Sequence, residues 1–409
     1  MRDSGRRRVV VTGAGAVSAP GIGADALWHA ARDGQSGVGP LVLTREVNNK
    51  VKIAAQVRDF SAERYLPKNV AIYCDIYSAF AIVAADEAIH QAGLASAGPL
   101  GSSAGVVLGV GAGGINTIET VHFTFLRDQG RIDPLAVPKV MPSSATSHLC
   151  IRYGCTGPSF AVASACASAT QAIGIGANLI QQGMVDRVLV GGADSTIAPV
   201  SFRSWEALRV LTPDFCRPFS KGRNGMVLGE GAAIFVLEGI DVARARDAPL
   251  LAEVLGYGTS TDAVDMLRPD SRGALAAMKN ALDDAGIAPD DVDYINAHGT
   301  GTILNDTVEA QAIRQLFGDR TDRLPVSSTK PIHGHALGAA GALEFLVTLR
   351  ALMDDIVPPT INWIESDANC PVDPVANQAR PLPLRTAMSN SFAFGGINAV
   401  VIVGKPDAH

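Results

Sequence analysis

Short apolar runs recur along the chain, bounded by Gly, Pro or Asp, and Ala-rich stretches of helical period separate them. The runs predict buried strands at Arg8–Thr12, Ala104–Val110, Arg187–Gly191, Ala232–Leu237, Leu251–Tyr257, Val292–Ala297, Leu324–Ser328 and Ala399–Val403. Ala169–Gln182 predicts a long helix. Two further helices echo each other, Ala84–Leu94 and Ala276–Ile287: each is amphipathic, each stops at a glycine, and each precedes a strand. Chance similarity between Ala-rich helices and an internal repeat both account for the echo. The alternation of strand and helix predicts an α/β protein with buried sheets.

Two patterns near the start imitate something else. Arg6-Arg7-Arg8 followed by Val9-Val10-Val11 resembles an export signal, but the apolar run breaks at Gly13 and Gly15, so a first buried strand is expected. Gly13-Ala14-Gly15-Ala16-Val17-Ser18 half-matches a dinucleotide fingerprint. Its third glycine is missing and no acidic residue closes a second strand about 20 residues on, which leaves a tight strand-to-loop turn as the expectation. Further along, residues 111–160 and 195–230 are Pro/Gly-punctuated insertions with little periodicity. Near residue 250 no linker is visible: Asp241–Pro249 is a short polar stretch, so the parts on either side should pack rigidly.

Composition narrows the field. A chain of 409 residues that is 47% hydrophobic can bury a large core. Its net charge is -6, and no Lys/Arg run interleaves with aromatics, which argues against a nucleic-acid partner. No stretch reaches the roughly 18 apolar residues of a membrane span. The six cysteines form no CxxC pair and lack His at metal-ligand spacing, a pattern of reduced, cytoplasmic thiols rather than disulfides or zinc.

One of those cysteines stands out. Cys166 lies in Ala163-Ser164-Ala165-Cys166-Ala167-Ser168-Ala169, just ahead of the predicted helix. A thiol there faces unpaired N–H groups and the positive end of the helix dipole, and both favour the nucleophilic thiolate. Taken alone, a buried Cys is more often a small core hydrophobe. Asn296-Ala297-His298-Gly299-Thr300-Gly301-Thr302 and Lys330-Pro331-Ile332-His333-Gly334-His335 shift the balance, because each puts a His at a glycine-rich strand end. One Cys and two His in such settings suggest a thiol enzyme of acyl chemistry.

With these segments the chain resembles the β-ketoacyl-acyl carrier protein synthases of the synthase II type. Leu228-Gly229-Glu230-Gly231-Ala232, Ser328-Thr329-Lys330, Gly334 to Gly341 and Phe394-Gly395-Gly396-Ile397-Asn398 complete the pattern, in family order from residue 8 onward. Cys216-Arg217-Pro218-Phe219-Ser220 with Asn296 to Asp306 is similar to the nodulation and polyketide branch. The resemblance implies a thiolase-like five-layer αβαβα sandwich of two similar halves. Residues 1–250 would carry the nucleophile and the cap insertions, and residues 251–409 the two histidines.

It also implies roles. Cys166 takes the acyl chain, and His298 and His335 donate hydrogen bonds to the enolate left when malonyl-carrier loses CO2. His335, five residues after Lys330, is the matching histidine, and His333 is its neighbour. Lys330 and Glu344 form a buried charged pair; an unpaired carboxylate in the apolar run Ala339–Val347 would be costly. The N–H groups of Phe394 and Cys166 make an oxyanion hole, Phe394 gates the acyl pocket, and Gly395 and Gly396 let backbone approach the substrate. Thr300 and Thr302 meet a phosphopantetheine amide. No cofactor or metal is expected, since substrates arrive on the phosphopantetheine of acyl carrier protein. The expected assembly is a homodimer, or a heterodimer with a chain-length factor. A non-catalytic chain-length factor and an acyl-CoA thiolase are the alternatives; the first typically lacks the active Cys, and the second wants a catalytic Cys that the Cys370 surroundings do not resemble.

Three positions depart from the family pattern. Val70-Ala71-Ile72-Tyr73-Cys74 is apolar where a basic carrier-docking segment is common, leaving Arg64, Lys68, Arg127, Arg131, Arg203 and Arg209 as contacts. Asn224 replaces an acid, and Ala112 stands where a larger aliphatic residue often closes the acyl channel. Lost bulk at Ala112 would leave space for longer or stiffer chains.

Overall fold

The computed structural model describes residues 6–406, and in it the apolar runs become the strands of one mixed sheet that repeats itself. The first arm runs β1 (Val9–Ser18), α1 (Ile76–Gln91), β2 (Ala104–Gly109), α2 (Ser144–Tyr153), β3 (Ser159–Val162), α3 (Ser168–Gln181), β4 (Arg187–Asp194) and β5 (Gly231–Gly239). The second runs β6 (Ala252–Thr261), α4 (Ser271–Ala285), β7 (Tyr294–Asn296), α5 (Ile303–Phe317), β8 (Val326–Ser327), α6 (Ala340–Asp354), β9 (Thr386–Ala393) and β10 (Ile397–Gly404). Spatial order is β3-β2-β4-β5-β1 in the first arm and β8-β7-β9-β10-β6 in the second. The sense of each pairing repeats as well: β2 is parallel to β3 and β4, as β7 is to β8 and β9, while β5 and β10 run antiparallel to both neighbours.

The arms join where Val9–Val11 pair antiparallel with Ala252–Val254. They then fold over a shared middle layer. There α3 and α6 touch each other, and each packs on strands of both arms. Helices α1 and α2 cover the outside of the first arm, α4 and α5 that of the second, which completes five layers, αβαβα. The echoing helices seen in the sequence occupy equivalent positions as α1 and α4, so the echo is a structural repeat. No helix among the described residues is long and apolar enough to cross a membrane.

The turn expected at Gly13–Ser18 is not there. β1 continues through it, every residue from Val9 to Ser18 buried, with a register shift between Val11 and Gly13. The glycines serve packing: a Cβ at Gly13 would stand 2.1 Å from the Ala88 carbonyl oxygen, and one at Gly15 2.1 Å from that of Ala84. Both contacts are with α1, which therefore lies directly on the strand. The sequence also hid β9. Its Ser389, Asn390 and Ser391 interrupt the apolar run, yet all three are buried.

Candidate active site

Cys166 sits in a single 3₁₀ turn, Ala165–Ala167, between β3 and α3. Ala165 takes φ 48°, a left-handed conformation that costs a residue with a Cβ and turns the chain sharply into α3. Cys166 is 5% exposed, and the backbone N–H groups of Phe394 and of Cys166 itself favour its anion. Burial nevertheless pushes the thiol up to about 12, outweighing the nearby Lys330 charge. Helix-end geometry favours the anion, and desolvation opposes it more strongly.

The two histidines come from the other arm. His298 follows β7, and the loop after it is pinned by carboxylates on α5. Glu309 accepts from the N–H groups of His298 and Gly299, both at 2.8 Å. Asp306 accepts from those of Phe219 at 2.9 Å and Gly301 at 3.2 Å. Lys330 is 1% exposed; its ammonium donates to the Glu344 carboxylate and the His298 carbonyl, and lies 3.2 Å from His298 Nδ1. The pairing expected of Lys330 and Glu344 is present as geometry. Burial holds the Glu344 carboxyl up at about 7.

His335 accepts at Nδ1 from the Leu337 N–H at 3.3 Å. With each Nδ1 facing a donor, each Nε2 carries the ring proton. Desolvation first, and Lys330 second, lower both histidines well below the ordinary imidazole value, so both are neutral hydrogen-bond donors. Their rings lie 5.3 Å apart at 81°, and the Cys166 sulfur and one nitrogen of each ring fall within 4.8 Å of one another. His333 is turned elsewhere, to Thr329 Oγ1 at 3.0 Å and the Gly334 carbonyl at 2.7 Å. Among the described residues this Cys–His–His trio is the one His/Cys/Asp/Glu group compact enough for a metal ion. An ammonium against one imidazole and backbone N–H groups on the sulfur make it a poor home for a cation.

The trio opens into a cavity of about 250 Å³. Thr300 and Thr302, hydrogen-bonded to each other at 2.8 Å, line one side, and Phe392 to Phe394 with Gly396 line another. Gly395, at φ 81°, bends the chain beside it without lining it. Ala112 is not part of it: the residue is exposed, on a turn whose Gly111 N–H is held by Asp194 at 3.1 Å. Asn224 does line the cavity, with its amide 3.4 Å from Asp214 Oδ1. Sequence reasoning missed two wall elements. Trp205 stacks on Phe394, centroids 6.1 Å apart at 15°. The turn Asp265–Pro269 folds across the opening, where Gly395 N–H donates to the Met266 carbonyl at 2.9 Å. Asp and Pro after a strand signal a loop, but nothing local to them says what the loop covers.

Comparison with known proteins gives consistent results. The family model described as Beta-ketoacyl synthase, N-terminal domain, matches residues 6–243, and that described as Beta-ketoacyl synthase, C-terminal domain, matches residues 251–363. Nodulation protein E of Rhizobium leguminosarum bv. trifolii is 42% identical over 398 residues, 97% of this chain and 98% of that protein. The 3-oxoacyl-(acyl-carrier-protein) synthase 2 of Staphylococcus aureus (strain N315) is 39% identical over 414 residues, 99% of this chain and 100% of that protein. Among solved structures, the ishigamide ketosynthase/chain length factor superposes with a TM-score of 0.93 at 34% identity, covering 98% of this chain and 100% of that one.

Proposed function

The chain belongs to the β-ketoacyl synthase family, and on that premise we propose how its residues divide the work. It is a β-ketoacyl-acyl carrier protein synthase, a condensing acyltransferase of fatty-acid or specialised type II polyketide synthesis. Cys166 is the acyl carrier within the enzyme. Its sulfur attacks the acyl thioester, the new C–S bond replaces the old one, and the thiol proton leaves with the carrier's sulfur. The N–H groups of Phe394 and Cys166 stabilise the oxyanion formed on the way.

The second half-reaction falls to the histidines. The malonyl C–C bond breaks, CO2 departs, and the electron pair moves onto the thioester oxygen as an enolate. His298 and His335, neutral and protonated at Nε2, donate to that oxygen. The enolate carbon then bonds to the acyl carbonyl carbon, the bond to Cys166 breaks, and the thiolate is reprotonated. Lys330 and Glu344 fix the tautomer and orientation of His298. One observation carries this reading: two uncharged imidazoles, each with Nδ1 engaged, flank a single thiol. A lone base for cysteine would need one.

Acyl carrier protein is the substrate-bearing partner. Solved relatives include a type II polyketide ketosynthase in complex with its acyl-carrier protein and another ketosynthase in complex with its chain length factor. We read this chain as the catalytic member of a homodimer, or of such a pair, working in the cytoplasm, because Cys166 is present. Incubation with an acyl-loaded carrier should add one acyl mass to the Cys166 peptide. Label on another cysteine, with Cys166→Ala still condensing, would refute the assignment.

A further inference from the structure

The mouth of the cavity is charged in an uneven way. Of the side chains lining it only Arg209, Asp265 and Arg268 carry charge, the two histidines being neutral. Ile303, Leu304, Met266 and Leu267 fill the rim between them, each more than half exposed. Asp265 offsets part of the Arg268 charge, and its Oδ1 accepts from the N–H groups of Leu267 at 2.8 Å and Arg268 at 2.9 Å, which leaves the mouth with an excess of one positive charge. Those two bonds fold the turn, and the turn aims Arg268 at the opening. Arg209 faces the same opening from a residue at φ 59°, a left-handed conformation that few side chains adopt without cost. On a chain of net charge -6, two exposed guanidinium groups beside an apolar rim make the mouth of the cavity locally positive and open to an anion.

The substrate delivered to Cys166 offers one. An acyl chain arriving on a phosphopantetheine arm places its thioester at the thiol and its amides along Thr300 and Thr302. Its phosphodiester then lies at the far end, at the mouth. We propose that Arg268, assisted by Arg209, is the residue that binds the arm's phosphate, so that the cavity distinguishes phosphorylated from unphosphorylated acyl-pantetheine. Guanidinium is suited to the task, since its fork of N–H groups matches two phosphate oxygens. The inference rests on the condensing-enzyme reading and gives its mouth a specificity element.

The test compares acyl-phosphopantetheine with acyl-pantetheine as acyl donor to Cys166, followed by mass. In the wild type the phosphorylated donor should be favoured. In Arg268→Ala the ratio of kcat/KM for the two donors should fall about tenfold, the size of one charge-assisted hydrogen bond left partly in water. Arg268→Lys should restore part of the ratio, and Arg209→Ala should lower it by less. An unchanged ratio in Arg268→Ala overturns the proposal, whether both donors slow together or neither does. So does a loss seen only with the intact carrier protein, which would place Arg268 against the carrier itself. Failure of the wild type to accept either donor, or the carrier, would instead sink the condensing-enzyme reading.

Discussion

The turns that start α3 and α6 are copies of one device put to opposite uses. Each is a 3₁₀ turn of three residues, Ala165–Ala167 and Leu337–Ala339, and each begins with a left-handed residue, Ala165 at φ 48° and Leu337 at φ 46°. Each is met by the last residue of a strand in the other arm's plan, Ala393 of β9 for the first and Asp194 of β4 for the second. At α6 the helix end is filled from within: Asp194 Oδ2 accepts from the Gly338 N–H at 2.9 Å and from Gly111. At α3 the corresponding strand end is an alanine. The N–H of Cys166 meets only its own sulfur and whatever substrate arrives. An active site results where the protein withholds its own anion from a helix end that would otherwise take one.

The most severe way to break this contrast is to supply the missing anion. Ala393→Asp should put a carboxylate where Asp194 stands in the other arm. A buried charge beside the thiol is worth several kcal/mol, so acylation of Cys166 should fall by about 1000-fold or more. Acylation at the normal rate in a folded variant would show that the two ends are not equivalent. Next in size, His298→Ala or His335→Ala should slow malonyl decarboxylation by about 100-fold while slowing Cys166 acylation less. A histidine variant that decarboxylates normally has been given the wrong role.

At α6 the effect should fall on stability. Asp194→Ala strands the buried Gly338 N–H and should cost about 1–3 kcal/mol in denaturant unfolding, because that donor is held away from water. Smallest is a dependence on pH. Burial raises Asp194 to about 7, so the folded chain keeps a proton that the unfolded chain has lost at the ordinary aspartate value of 3.8. Between those values this carboxyl makes stability fall as pH rises, and it contributes no further change above about 7. Asp194→Asn cannot ionise, so its stability relative to the parent should increase across that window. A parallel pair of melting curves from pH 4 to 8 would count against an elevated Asp194.

The residues of the site were far more legible than the shape around them. Cys166, His298, His335 and Lys330 stand beside glycines and short polar residues in strings that few other demands on a chain would produce. Each string is local, although the fold brings the four residues together from both arms. Trp205 and the Asp265–Pro269 turn have no such signature, since their role depends on chain segments far away. Ala112 shows the same limit: its place in the pattern did not say that it would stand exposed on the glycine turn, outside the cavity into which the trio opens. At the thiol, helix-end electrostatics can be read from sequence, whereas desolvation depends on everything packed around the sulfur. Gly13 and Gly15 show a different limit. Glycine marks either a turn or a close approach, and only the position of α1 decides between them.

The sheet order also fixes when the enzyme comes into being. Chains leave the ribosome from the N-terminus, and their first domains begin folding while the rest is still being made. Here Cys166 emerges long before His298 and His335, and Phe394, whose N–H completes the thiol's surroundings, lies on the turn between the last two strands. The final strand, β10, does not close an edge; it inserts between β6 and β9 in the middle of its arm. A nascent chain therefore exposes Cys166 before the histidines and the Phe394 N–H that are proposed to act with it. On the proposed roles, competence waits for β10 to slot between β6 and β9.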